Sequence, residues 1–352
     1  MPELRSEDAL RALIATHSDA IAACRVLCIV PVAYVHIAIG EGGSPVGAAI
    51  KAVLRDLLGR SSVLLLSVVS GLLMVHVFSS RSWRAAAWGR LRGLIVPMVV
   101  WNSIALAMML AFRRPLPGDL VNALFAVTDH GVTRPLTFLR DLFLISLATP
   151  LLVAAIRRLR LWILLPLVLV GGFVSTKPVL AYSQILSYFA LGVGFGVLQL
   201  ERLRFVGFAR RLAPWLLAAL VVLSAARPLT GDALAFIDTN AFDALVRRPV
   251  CAASFWVLAV RIAEHEPSRR VINRWLEPAI FAMFLSHALV LRGLRGLALS
   301  LGLEAPVMRL AVWVVLPFVA LGVAVLLQQL LRRGPDLVYR LLLGKARPQR
   351  RS

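Results

Sequence analysis

Charge is in short supply in this sequence, and cysteine is nearly absent. Asp, Glu, Lys and Arg together make up 16% of the residues, against about a quarter in a soluble domain. Hydrophobic residues make up 59%, above the roughly half that a soluble domain carries. A chain so composed is expected in a bilayer rather than in water. The three cysteines, Cys24, Cys28 and Cys251, form no Cys-x-x-Cys pair. Cys24 and Cys28 share a helix face and read as small apolar residues, with no metal or redox site. Room for a soluble domain is also lacking: the longest polar stretches are 113–135 and 228–248. No internal repeat stands out. About twenty residues, several charged, precede the first apolar run, and no small-x-small site follows it. That run is therefore expected to be a span rather than a cleaved leader.

What is present is a succession of apolar segments. A helix crosses a bilayer with about 20 such residues. Ten segments qualify or nearly qualify: 21–40, 61–78, 93–112, 136–156, 161–175, 178–199, 212–227, 249–263, 276–298 and 307–331, the fifth, seventh and eighth being short. The fold class is thus all-α, a polytopic transmembrane helical bundle. Its parts are an N-terminal segment 1–20, a membrane domain 21–331 and a basic tail 332–352. With the N-terminus in the cytoplasm, 23 Lys and Arg fall in inner segments and nine in outer ones, as the positive-inside rule requires. Both termini are then cytoplasmic. The formal net charge of +21 would suggest nucleic acid in a soluble protein. Here the arginines sit in short loops, so membrane lipids are the expected partner and nucleic acid is not. The tail is expected to lie on the inner membrane surface.

Ionisable residues inside spans are costly and mark function by default. The first span, CRVLCIVPVAYVHIAIG, carries Arg25 and His36. Eleven residues is close to three helical turns, so both project from one face, about 16 Å apart along the axis. Arg25 falls near the inner end and His36 in the outer half. A snorkelling Arg25 with a packing His36 is the bland alternative, open on the residues alone. Arg90 and Arg92, at the inner mouth of the third span, suit a phosphate-bearing ligand, or serve as plain topology charges. Arg140 and Asp141 lie near the outer end of the fourth span. Adjacent residues point about 100° apart on a helix, so each is expected to reach other helices as well as its neighbour. The ninth span carries His287 near its middle and Arg292 and Arg295 near its outer end.

The ordered set of these pieces resembles acyltransferase family 3, the integral membrane acyltransferases. The Arg-x10-His pair in the first span is similar to that family's first-helix motif. Ser70-Gly71 in SVVSGLLM resembles its Ser-Gly-aromatic element, with Leu72 where the aromatic would stand. GRLRGLIVP resembles its Arg-rich segment ending in Pro, here Pro97. TFLRDLFLISLATPLL, YFALGVGFG and FAMFLSHALVL resemble later family segments, with Thr137 in place of a Trp and Ala288 in place of a Pro. The likeness spans nearly the whole chain.

The resemblance implies a bacterial inner-membrane enzyme. It would move an acyl group, most often acetyl, from cytoplasmic acyl-CoA to a carbohydrate hydroxyl, without a metal. It makes Arg25 and His36 the essential pair, and Arg25, Arg90 and Arg92 the binders of coenzyme A phosphates. Ser70, Arg140, His287 and Arg292 are candidates for substrate or oxyanion contacts. His36 could deprotonate the hydroxyl or carry the acyl group for one step, and the residues do not choose between them. The rival class is a transporter or flippase whose Arg and His line a path without chemistry. Acyl chain, acceptor and oligomeric state are not written in these residues.

Overall fold

A computed structural model of the chain describes residues 2–37, 44–174, 179–198, 205–230, 233–234, 242–303 and 305–347. Those residues form helices and turns and no strand. We number the helices α1 Pro2–Tyr34, α2 Pro45–Ser80, α3 Trp83–Ala111, α4 Leu120–Phe125, α5 Thr137–Leu147, α6 Thr149–Leu159, α7 Leu164–Phe173, α8 Gln184–Leu198, α9 Phe205–Ala226, α10 Arg248–Glu264, α11 Glu266–Ser300, α12 Pro306–Arg333 and α13 Asp336–Leu343.

Six stretches are long and apolar enough to cross a membrane: His17–Tyr34 of α1, α2, α3, Arg210–Leu229, α11 and α12. The α5–α6 pair makes a seventh if counted as one span. The segments expected at 161–175, 178–199 and 249–263 are helical as α7, α8 and α10; α7 and α8 are shorter than a straight crossing needs, and α10 continues unbroken from the turn Asp243–Arg247. The seventh apolar segment, short in the sequence, extends into a full-length span.

Prolines shape the long helices in a repeated way. Pro97, Pro249 and Pro278 each stand at the second position of a regular stretch that follows a wide turn: Leu91–Ile95, Asp243–Arg247 and Ile272–Leu276. A proline has no N–H, so the usual i→i−4 bond is lost there. The amide just before each proline reaches one residue further instead: Val96 N–H to Leu91, Arg248 N–H to Asp243, Glu277 N–H to Ile272. These are π turns, common at functional positions. At Pro150 the outcome is sharper. The span expected to run unbroken over 136–156 ends α5 at Leu147 and restarts as α6, bent by 55°.

The bundle's tightest seam joins α2 and α8. A Cβ on Gly71 would collide with the Phe189 carbonyl, and one on Gly192 with the Val68 carbonyl. Only glycine lets these backbones touch, as small residues do in membrane helix pairs. Thus Gly71 of SVVSGLLM and Gly192 and Gly196 of YFALGVGFG belong to one interface, while Gly194 faces Leu164 of α7.

At the N-terminal end α1 is helical from Pro2 into the span. The tail carries one further helix. Its α13 folds back on α3, where the Trp101 indole N–H donates to the Leu342 carbonyl at 3.1 Å, and Gln328 Nε2 donates to the Tyr339 hydroxyl at 3.0 Å. Gly344, at φ +62°, closes α13 against the backbone of Arg92 and Gly93. A side chain there would meet both left-handed strain and the neighbouring backbone. Residues 348–352 lie outside the described residues.

Candidate active site

The first helix ends at Tyr34, two residues before His36. Its last turn tightens: Val35 N–H bonds the Val32 carbonyl at 3.1 Å and His36 N–H the Ala33 carbonyl at 3.0 Å. His36 therefore sits in a closing turn, not in mid-helix as the span 21–40 implied. Tyr34 anchors that turn. Its hydroxyl donates to the Val314 carbonyl at 2.6 Å and its ring lies 4.8 Å from that of Trp313 on α12.

From this turn His36 meets His287 of α11, ring centroid to ring centroid at 5.3 Å and 52° between planes. His36 is half-buried and His287 fully buried. The His287 Nδ1 stands 2.8 Å from the Phe284 carbonyl oxygen and 3.2 Å from that of Met283. Its Nε2 is buried and has no hydrogen-bond partner among the described residues. Phe284 fills the next turn of α11 and contacts Phe138 of α5, centroids 5.7 Å apart, so three helices wall the pair.

About three turns back along the same helices stands a charged cluster. Arg25 Nη1 lies 3.5 Å from Glu277 Oε1. Arg90, on the last turn before the π turn of α3, is close enough to Arg25 for the two cations to repel, and it touches the Met74 sulfur on α2. Arg25 thus faces one anion and one cation. A second anion would relieve the imbalance, which suits a phosphate-bearing ligand. Arg92 does not join them. It is exposed, with its guanidinium over the Trp88 ring at 4.6 Å, because residues two apart on a helix point about 200° apart.

The remaining candidates fall elsewhere. Arg140 and Asp141 are buried and pair with each other, Nε to Oδ1 at 3.0 Å and Nη2 to Oδ1 at 2.5 Å. Arg140 Nη1 donates to the carbonyls of Ala126 and Val127, and Asp141 Oδ2 accepts from Tyr182 N–H at 2.9 Å. The two side chains pair with each other as expected, and their other partners are loop backbone at one end of α5 rather than other helices. All three Arg140 nitrogens are engaged, which gives it a bracing role. Ser70 is half-buried beside the Gly71 seam, and Arg292 is exposed on α11.

Two further cations went unnoticed in the sequence. Arg55, in the π-helical stretch Ala52–Gly59 of α2, and Arg134, just before α5, both act electrostatically on His36, and Arg134 acts on Tyr182 as well. The signal available was position: both are among the few arginines in outer segments. A buried ion cluster was also missed, with Asp243 accepting from Arg247 Nε at 2.7 Å and paired with Arg248, which reaches Gln184 on α8. Among the described residues, no three or more His, Cys, Asp or Glu side chains gather to hold a metal ion.

A family model described as an acyltransferase domain matches residues 18–329, a stretch that includes Arg25, His36, Arg90, Glu277 and His287. No curated protein and no solved structure matches the chain. Covering nearly all of the membrane domain, the match shows that this chain belongs to acyltransferase family 3.

Proposed function

We propose that the protein transfers an acyl group, acetyl in the simplest case, from cytoplasmic acyl-CoA to a hydroxyl of a surface or exported carbohydrate. The observation that carries this reading is the pairing of α1 with α11. Arg25 and Glu277 meet at one level of the two helices, and His36 and His287 meet about three turns further on. Eleven residues separate the first pair of positions on α1 and ten on α11, a rise of about 15–16 Å on each. The two helices run in the same direction, as the first and ninth spans of a ten-span chain would. One level of this pair offers cations to an anionic cofactor, and the other offers imidazoles to the reacting group.

In this reading Arg25 and Arg90 hold coenzyme A phosphates from the cytoplasm, and the thioester reaches toward His36. A sugar hydroxyl is a weak nucleophile, and a positioned base helps by about 10²–10⁴-fold. His36 takes the hydroxyl proton as the oxygen attacks the thioester carbon. The C–O bond forms, the C–S bond breaks, and the proton passes from His36 to the departing sulfur. The site lies in the bacterial inner membrane, with both chain termini cytoplasmic.

The test is incubation of purified protein in lipid with radiolabelled acetyl-CoA and a panel of glycans. Base-labile label on a glycan, with stoichiometric release of coenzyme A, is the expected result. Glycan movement across the membrane without ester formation would contradict it and favour a flippase.

A further inference from the structure

We propose that His287 is the positioning residue that holds His36 in its working tautomer. The inference rests on the reading of His36 as the transfer base. It starts from a different observation, the buried nitrogen of His287 that has no hydrogen-bond partner among the described residues.

The proton on His287 is placed by its neighbours. Its Nδ1 faces two backbone carbonyl oxygens, at 2.8 and 3.2 Å. A carbonyl oxygen only accepts, so Nδ1 carries the hydrogen and Nε2 carries the lone pair. A second proton on Nε2 would put a cation at a fully buried point with no anion paired to it among the described residues. Arg55 and Arg134, described groups that act electrostatically on His36, are themselves cations. His287 is therefore a neutral acceptor whose lone pair direction is set by the backbone of α11.

A buried acceptor left unmatched carries the full loss of its hydration. The group placed to match it is His36. The two ring centroids are 5.3 Å apart, so a turn of the half-buried His36 ring that aims one of its nitrogens at His287 Nε2 brings the two atoms within a hydrogen-bond reach of about 3 Å. His36 then donates one N–H to His287 Nε2 and keeps its lone pair on the other nitrogen, toward the acceptor hydroxyl. During transfer the hydroxyl proton moves to that second nitrogen, the C–O bond forms and the C–S bond breaks. The positive charge that develops on His36 is stabilised by the His287 lone pair until the proton passes to sulfur. His287 itself stays neutral throughout. The logic is that of a base oriented by a third group. A neutral orienting group suits a membrane interior, where a carboxylate would add a second buried charge.

Three measurements test this. In wild-type protein labelled with nitrogen-15 histidine, the His287 shifts should report hydrogen on Nδ1 and a bare, accepting Nε2. Hydrogen on Nε2 would overturn the proposal without any mutation. Next, His287→Gln offers an amide oxygen near the Nε2 position and His287→Met offers none. Gln should keep kcat within about tenfold of wild type, whereas Met should lose about 10²-fold or more with little change in KM for acetyl-CoA. Finally, carbethoxylation of His36 by diethyl pyrocarbonate, read by peptide mass spectrometry, should slow about tenfold in the Met variant, as expected of a base that has lost its orienting partner. Equal His36 reactivity in Met and wild type would overturn the proposal. A His36→Ala protein that still acylates glycan would instead refute the base assignment and leave the tautomer measurement standing.

Discussion

Arg25 and Glu277 are 252 positions apart in sequence and 3.5 Å apart in space. That contact fixes the register of α1 against α11 and sets His36 level with His287 one bilayer half further on. It also leaves Arg25 between an anion and the cation of Arg90, an arrangement that a bound phosphate would complete.

Donor affinity should therefore depend on Arg25 and Arg90 and not on Arg92. Arg25→Gln and Arg90→Gln should each weaken acetyl-CoA binding roughly tenfold or more, the worth of one charge-assisted contact. Arg92→Gln, exposed and stacked on Trp88, should bind like wild type. Isothermal titration of the three proteins in lipid checks this. Equal loss at all three positions would return them to general topology charge.

Arg140 is predicted to matter for folding rather than chemistry. Arg140→Met leaves Asp141 buried and uncompensated, at a cost of about 3–5 kcal/mol, so folded protein in the membrane should fall sharply. The double change Arg140→Met with Asp141→Leu removes the stranded charge and should recover abundance. Fluorescence-detected size exclusion would read both. An Arg140→Met protein of normal abundance and no activity would make Arg140 an oxyanion partner after all.

The α2–α8 seam gives a steric prediction. Gly71→Ala and Gly192→Ala each drive a methyl into backbone and should cost about 1–3 kcal/mol through overpacking. Gly89→Ala, which opens on empty space, should be neutral. Thermal midpoints of the purified variants separate the cases.

The ten apolar segments were legible because a bilayer imposes hydropathy and length on each crossing, and the helices stand where those runs stand. The break at Pro150 and the wide turns before Pro97, Pro249 and Pro278 were written in the sequence too, as prolines inside otherwise helical runs. Arg90 and Arg92, grouped by their closeness in sequence, point to different sides of α3 as the helical period requires. What could not be read was long-range. Nothing local ties Glu277 to Arg25 or His287 to His36, and the glycine of Ser70-Gly71 has a purpose only once Phe189 is seen against it. The Arg140–Asp141 pairing was legible from the two adjacent charges, but that their other partners are the Ala126 and Val127 carbonyls and the Tyr182 amide was not, because those loop contacts are set by the tertiary fold.

The central claim is that His36 is the group on which acyl transfer turns. The most direct measurement is the rate of base-labile acetyl incorporation into surface glycan in cells carrying His36→Ala, with membrane abundance matched to wild type by blot. The account predicts incorporation at background level. A well-expressed His36→Ala protein that acetylates glycan at the wild-type rate would contradict it.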